Sequence, residues 1–290
     1  MDLSTSLNVL YDPSRVTQLQ AMERCVAAGF RHLDFNFTDW THQGSPFIGE
    51  GWREWLHEIR RRADELGVSF SQSHGPIFAK FVGDERCCWL TEMSHRSIEG
   101  AGIIGAPWVV FEPESYPGAW DAAHLAGLKQ RNLDWFGALL PTADRAGVGL
   151  ALENINEGYA ESRGMRRLYC AGTAELIDLV DGFRSSRVGI CWDTGHAHIQ
   201  RLDQGAAIRA LGDRLKAVHI QDNDGRSDQH LLPYTGTIQW PVVLEALRAI
   251  HYGGDFTFEV ASAIRPLPDP LRDGAVRRTY ELGRYMLEMV

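Results

Sequence analysis

The sequence has no stretch approaching the ~18 uninterrupted apolar residues of a membrane-spanning helix, and its start, MDLSTSLNVLYDP, carries no basic segment before a long apolar run. A cytoplasmic protein with no membrane partner is the expectation. Sulfur chemistry is sparsely represented too. The five cysteines, Cys25, Cys87, Cys88, Cys170 and Cys191, are odd in number, show no CxxC spacing, and place their one adjacent pair within a helical pattern, so neither a disulfide framework nor a thiolate zinc site is indicated. Positive charge is in deficit. A formal net charge of −9 argues against a nucleic-acid partner, because affinity for phosphate backbones comes from clustered Lys and Arg. No GxGxxG or P-loop follows the first strand pattern, which argues against an open nucleotide-binding sheet.

What the chain does have is an average globular composition, 44% hydrophobic and 23% charged, and one rhythm repeated along its length. Short apolar, β-branched or aromatic runs near residues 3–10, 31–37, 69–73, 108–112, 149–153, 188–193, 217–221 and 256–260 alternate with longer amphipathic segments. Such alternation predicts βα units and a parallel sheet. In the segment from Gly51 to Leu66, Trp52, Trp55, Leu56 and Ile59 recur at helical spacing. Glycines at 29, 67 and 147 stand where a left-handed helix stop belongs. Eight units without a linker or low-complexity tract predict a single (β/α)8 TIM barrel over residues 1–290, a size that such barrels reach as one domain.

Barrels of this kind place their chemistry at the carboxyl ends of the strands. Four consecutive strands end LALENIN, CWDTGHAH, AVHIQDND and FTFEV, presenting Glu153, Asp193, His219 and Glu259 near one mouth. One acidic residue at a strand end is ordinarily a helix cap or an arginine's partner. Three carboxylates beside an imidazole repel one another unless a cation compensates, so the quartet points to one divalent metal ion. Oxygen donors with a single nitrogen suit Mn2+, Mg2+ or Co2+, with Zn2+ also open. His74, in SQSHGP, faces the same mouth and is a candidate for holding a substrate hydroxyl, the alternative being a turn-capping histidine. Phe37, Trp40, Trp108, Trp192 and Trp240 are candidates for stacking on sugar carbons, although such residues more often fill a rim or core, and Trp240 is better read as starting the helix after strand seven.

The segments LEN, WDTGHAH, HIQDNDGRSDQHLLPYTGTIQW and FEV, in this order and at these strand positions, resemble the xylose isomerase-like TIM-barrel family, which contains sugar isomerases and epimerases, ketose 3-epimerases, inosose dehydratases and an apurinic endonuclease branch. The resemblance spans essentially the whole chain. It implies that Glu153, Asp193, His219 and Glu259 hold one metal and that Glu153 and Glu259 are also the catalytic bases. Each would remove or return a proton beside a chelated carbonyl, with a metal-bound enediolate between the two isomers. His196 matches a histidine that binds substrate oxygen, whereas His198 is expected to be structural. Arg226 lies one residue out of register with a substrate-binding arginine. In the endonuclease branch the pair matching Asp228 and His230 helps bind extra zinc together with histidines at the positions of His74 and His196, and Glu112 stands where that branch has another histidine. Asp228, His230 and Glu112 are therefore read as groups that support the metal ligands or as ligands of a second metal.

The resulting expectation is a metal-dependent sugar isomerase or epimerase acting on a small unphosphorylated ketose or polyol-derived ketone. It would be a homo-oligomer, as families like this often are. Three alternatives stay open: a lyase or dehydratase on a keto-sugar or inosose, a multi-zinc phosphodiesterase, and a non-catalytic sugar-binding protein.

Overall fold

Each of the eight apolar runs becomes a strand in the computed structural model, which describes residues 1–12, 15–77, 81, 83–115, 121–156 and 168–289. The strands are β1 (Leu3–Ser6), β2 (His32–Asn36), β3 (Ser69–His74), β4 (Trp108–Phe111), β5 (Gly149–Glu153), β6 (Val188–Asp193), β7 (Leu215–His219) and β8 (Phe256–Phe258). Helices α1 (Gln18–Ala28), α2 (Trp52–Leu66), α3 (Glu85–Ile104), α4 (Ala122–Ala146), α5 (Thr173–Gly182), α6 (Thr194–Ile199), α7 (Gln204–Leu211), α8 (Trp240–Ala249), α9 (Ala261–Ile264) and α10 (Asp269–Glu288) fall between and after them. Neighbouring strands pair in parallel from β1 to β7, and β8 pairs with β1. The ring closes between β7 and β8 through Ile220, whose N–H donates to Thr257 O at 2.8 Å and whose carbonyl accepts from Glu259 N at 3.1 Å.

Local chemistry explains the boundaries. Gly67 (φ 65°) and Gly147 (φ 71°) end α2 and α4 in the left-handed region, which a side chain adopts only at a cost. The first strand stops at Ser6, short of the expected reach to residue 10, because Leu10 and Tyr11 N–H both turn back to Leu7 O at 3.2 and 3.1 Å. The last strand also stops early, so Glu259 stands one residue beyond it and not within it. Cys87 and Cys88 lie in α3 as the pattern indicates, and all five cysteines are free. No helix among the described residues is long and apolar enough to cross a membrane.

Two kinds of core result. Outside the sheet, Phe35, Phe37, Phe47, Trp52 and Phe70 are buried in a chain of ring-on-ring contacts that Trp55 joins through Phe35 and Phe47, and burying each large side chain contributes roughly 2 to 3 kcal/mol. Inside the barrel the filling is uneven. Val110, Ala151, Cys191 and Ala217 form a small apolar patch from β4 to β7, whereas β1, β2, β3 and β8 bury Ser4, Ser6, Asp34, Gln72 and Thr257. The polar half sits beneath the mouth.

The loop after β7 is pinned by one buried carboxylate. Asp222 Oδ1 accepts from the N–H groups of Asn223 (2.9 Å) and Ile238 (3.1 Å), and Oδ2 accepts from Tyr234 N (3.0 Å) and the Trp240 indole (2.9 Å). Trp240 thus opens α8 fully buried, as read from the sequence. Replacing Asp222 by Ala strands several buried donors at about 1 to 3 kcal/mol each, so denaturant unfolding should show a loss of about 3 kcal/mol or more. A loss under about 1 kcal/mol would show that the loop is held by other contacts.

Candidate active site

The four strand-end residues meet. Glu153 closes β5, Asp193 closes β6, His219 closes β7, and Glu259 follows β8, with ligand atoms that all lie within 4.8 Å of one another. Such a spread fits one ion with each donor ~2.0–2.5 Å from its centre. His219 Nδ1 faces Glu153 Oε1 at 3.1 Å and Glu259 Oε2 at 3.4 Å, so the imidazole lies between the two glutamates. Glu153, Asp193 and His219 are at most 2% exposed.

The positions are fixed from outside the quartet. Asn154 Oδ1 accepts from Asp193 N at 2.7 Å while its amide donates to Asp193 O at 3.0 Å, which locks the ends of β5 and β6 together. Asp193 also caps α6, its Oδ1 accepting from His196 N at 2.6 Å. Thr194 donates its hydroxyl to Gln221 O at 2.7 Å, tying α6 to the strand that carries His219.

Three further histidines surround the quartet, each with Nδ1 against a backbone carbonyl. His74 Nδ1 donates to Gly75 O (2.7 Å), His196 Nδ1 to Asn154 O (2.8 Å) and His230 Nδ1 to Glu259 O (2.9 Å). Their Nε2 atoms are thereby turned to carboxylates: His74 to Glu153 Oε2 at 3.4 Å, and His196 and His230 to Asp228 Oδ2 at 3.4 and 3.0 Å. Glu112 joins this group, with ligand atoms of His74, Glu112 and Glu153 again within 4.8 Å of one another. The structure therefore gathers His74, His196, Asp228, His230 and Glu112 around the quartet.

Arg226 is placed elsewhere. It is exposed and lines a cavity of about 540 Å³ with His198, Arg201, Asp203 and Gln239, on the outer side of α6 and α8. His198 shares a 2.7 Å hydrogen bond with Thr237 there. Most of the aromatic candidates point away as well. Phe37, Trp192 and Trp240 are fully buried in the outer core, and Trp108 opens β4 at the amino end of the barrel, opposite the mouth. Trp40 stacks on Tyr11 at 4.5 Å and Trp55 at 4.6 Å. Trp192 holds an outward position on β6, where a strand meets helices, and so goes to the outer core.

Two polar residues of the site escape motif reading. Gln221 donates to Asp228 Oδ1 at 2.6 Å and approaches both oxygens of Asp193 at 3.3 and 3.4 Å. Asp34 is buried inside the barrel on β2. A signal for Asp34 existed in HLDFNF, where Leu33, Phe35 and Phe37 alternate with His32, Asp34 and Asn36. With helices covering the outer face, the polar set must face the interior.

The electrostatics follow from crowding. Burial pushes Asp193 up to about 7, with Glu153, Asp228 and Glu259 adding to the rise against the pull of His196. Burial likewise pushes Asp34 up to about 7, opposed chiefly by His219 and His74. Burial opposes charge on Glu153 too, but His219, His74 and His196 together hold it well below the carboxylate range. His74 and His230 are disfavoured as cations by burial, yet Glu153 lifts the first to about 9 and Asp228 and Glu259 lift the second to about 10. Protons on imidazoles balance the carboxylates.

The sequence from residue 22 to residue 277 matches the model of the xylose isomerase-like TIM barrel. A (β/α)8 barrel with an acid-and-histidine mouth is thus the class of protein. The chain belongs to the xylose isomerase-like TIM-barrel family. It is 28% identical over 217 residues to a D-psicose 3-epimerase of Enterocloster bolteae, covering 71% of this chain and 66% of that protein. It is 32% identical over 122 residues to an L-ribulose 3-epimerase of Mesorhizobium japonicum, covering 42% and 37%. An uncharacterized protein of Sinorhizobium fredii is 37% identical over 112 residues, and the chain spans only 33% of its length. Among solved structures, a D-tagatose 3-epimerase-like protein superposes with a TM-score of 0.76 at 23% identity over 100% of this chain and 98% of its own. A D-psicose 3-epimerase crystallised with D-fructose gives 0.75 at 18%, over 99% of each chain.

A pH dependence follows from the raised imidazoles. With a folded value of about 9 for His74 and about 10 for His230 against an ordinary 6.5, both contribute stability that is fully present below pH ~6.5 and lost as pH rises through the folded values. The melting temperature of chelator-treated protein should therefore fall between about pH 6.5 and 10. A flat or rising profile there would mean that the imidazoles are not paired as described.

Proposed function

We propose that the chain is a divalent-metal-dependent sugar epimerase or isomerase, acting on a small unphosphorylated ketose or polyol-derived ketone. The observation that carries this reading is the placement of Glu153 and Glu259 on either side of His219 Nδ1, at 3.1 and 3.4 Å, with Asp193 completing the group. Glu153, Asp193, His219 and Glu259 would hold the ion. When bound, it polarises the substrate carbonyl and lowers the pKa of the neighbouring C–H. Glu153 and Glu259 then serve as the two bases, one removing the proton and the other returning one from the opposite face. His74 and His196 present Nε2 toward the same space and are suited to substrate hydroxyls, their rings held by the carbonyls of Gly75 and Asn154. The ketose 3-epimerases among the relatives support this substrate class.

Glu153→Gln and Glu259→Gln should each abolish epimerisation of a turned-over ketose while leaving the fold intact, because an amide cannot accept the proton. In heavy water, NMR should show C–H exchange surviving from at most one epimer in each variant. Full activity in either variant would remove that glutamate from the two-base scheme. Loss of a neighbouring hydroxyl, read in the same spectra as a dehydrated product, would place the chain with lyases instead.

The grouping of His74, Glu112 and Glu153, and that of His196, Asp228 and His230, support a second reading with additional metal ions. Elemental analysis separates the two. One ion per chain is expected for the epimerase, and about three zinc ions would favour phosphodiester cleavage.

A further inference from the structure

Among the described residues, Ser6 Oγ, Asp34 Oδ1 and His219 Nε2 are buried polar atoms without a hydrogen-bond partner. Such atoms are rare in folded proteins, and each calls for a physical reason. They belong together. Asp34 is 1% exposed, Ser6 and His219 are no more exposed than that, and Ser6 is paired with Asp34 across the β1–β2 ladder. Of the charged groups acting on Asp34, His219 contributes most, and the Ser6 hydroxyl lies close enough to act on it as well.

His219 differs from the three histidines around it. Those give Nδ1–H to a backbone carbonyl and keep Nε2 for the mouth. His219 is reversed: Nδ1 faces Glu153 and Glu259, so an ion held at Nδ1 leaves the ring's remaining proton on Nε2, which is buried and has no hydrogen-bond partner. A histidine that ligates through one ring nitrogen needs an acceptor for the other, which sets its tautomer and orientation. The side chains able to supply one are Asp34, with Ser6 beside it, and the Cys191 thiol, which touches the ring from β6 and is a weak acceptor.

We propose that Asp34 is a positioning residue for the metal site, its carboxylate acting together with Ser6 as the acceptor for His219 Nε2–H and so holding Nδ1 toward the ion. The bridge between them is one internal water, which needs about three polar partners and finds them in Ser6, Asp34 and His219. The proposal rests on the metal-dependent reading above. It also gives a reason for a buried acid that the proton-transfer chemistry does not use. A carboxyl carried into the barrel with Oδ1 unpartnered lowers stability, a cost met at sites kept for function.

The test is a calorimetric titration of metal-free protein with Co2+, alongside the melting temperature of the same metal-free samples. Asp34→Ala should weaken Co2+ binding by about 10- to 100-fold, the range for loss of an outer partner of a ligating histidine. Its metal-free melting temperature should stay equal to the wild type or rise. Asp34→Asn keeps an oxygen acceptor in place and should recover most of the affinity. A residue serving only the fold would give the opposite pair of results, a lowered melting temperature with unchanged affinity, and that would overturn the proposal. Loss of affinity in Cys191→Ala without loss in Asp34→Ala would transfer the role to the thiol and overturn it too. If wild-type protein takes up no divalent ion, the metal-dependent reading fails and this inference falls with it, whereas wild-type uptake with an indifferent Asp34→Ala removes the inference alone.

Discussion

Carboxylates crowded into a dry barrel mouth require compensating positive charge, and the arrangement of the carboxyl-terminal face follows from that requirement. Glu153, Asp193 and Glu259 approach one another closely enough that none is comfortable as an isolated anion. Burial alone would push Glu153 and Asp193 toward the protonated form. Imidazoles from β3, α6, β7 and the loop after it are therefore threaded between them; those of His74, His196 and His230 are anchored by Nδ1 on backbone carbonyls and turn Nε2 to Glu153 or Asp228, with Nδ1 of His196 also 3.3 Å from Glu153 Oε1. On the metal-dependent reading proposed above, a divalent ion would take the place of the protons that balance this charge.

The barrel beneath the mouth serves the same requirement. Its β4 to β7 side is filled by Val110, Ala151, Cys191 and Ala217, small groups that let Glu153 and His219 sit deep. The opposite side carries Ser4, Ser6, Asp34, Gln72 and Thr257, with Thr257 donating to Gln72 Oε1 at 3.3 Å. An apolar filling on both sides would pack at less cost. The polar half includes Asp34, on which His219 acts, and this links the composition of the barrel interior to the mouth above it.

Loops supply the remaining precision. Asp222 gathers the ends of the segment that bears Asp228 and His230, while Asn154, Thr194 and Gln221 stitch the ends of β5, β6 and β7 to one another. Strand ends in a barrel diverge outward, so side chains in adjacent loops converge only when such cross-links hold them.

Much of this was legible in the residue order. Periodicity of apolar runs settles the eight strands, and three acids and a histidine at the ends of four successive runs mark the mouth, because a strand end is a local property that one segment carries by itself. The segment HLDFNF likewise contained enough alternation to place Asp34 inside. Other features depend on neighbours distant in sequence. Which face of β6 meets a helix decides that Trp192 serves packing, and the position of Trp108 at the amino end of β4, against Val110, Ala151, Cys191 and Ala217, keeps it from the mouth. The course of a loop whose ends are pinned by Asp222 decides that Arg226 faces outward while Asp228, two residues on, faces His196. Ring orientation, which separates His219 from the other three histidines, is set by carbonyls and carboxylates that only the closed barrel brings within reach. Local sequence determined the elements and the chemical types at their ends; tertiary closure decided directions, because a side chain's direction is chosen by the partners that folding delivers to it.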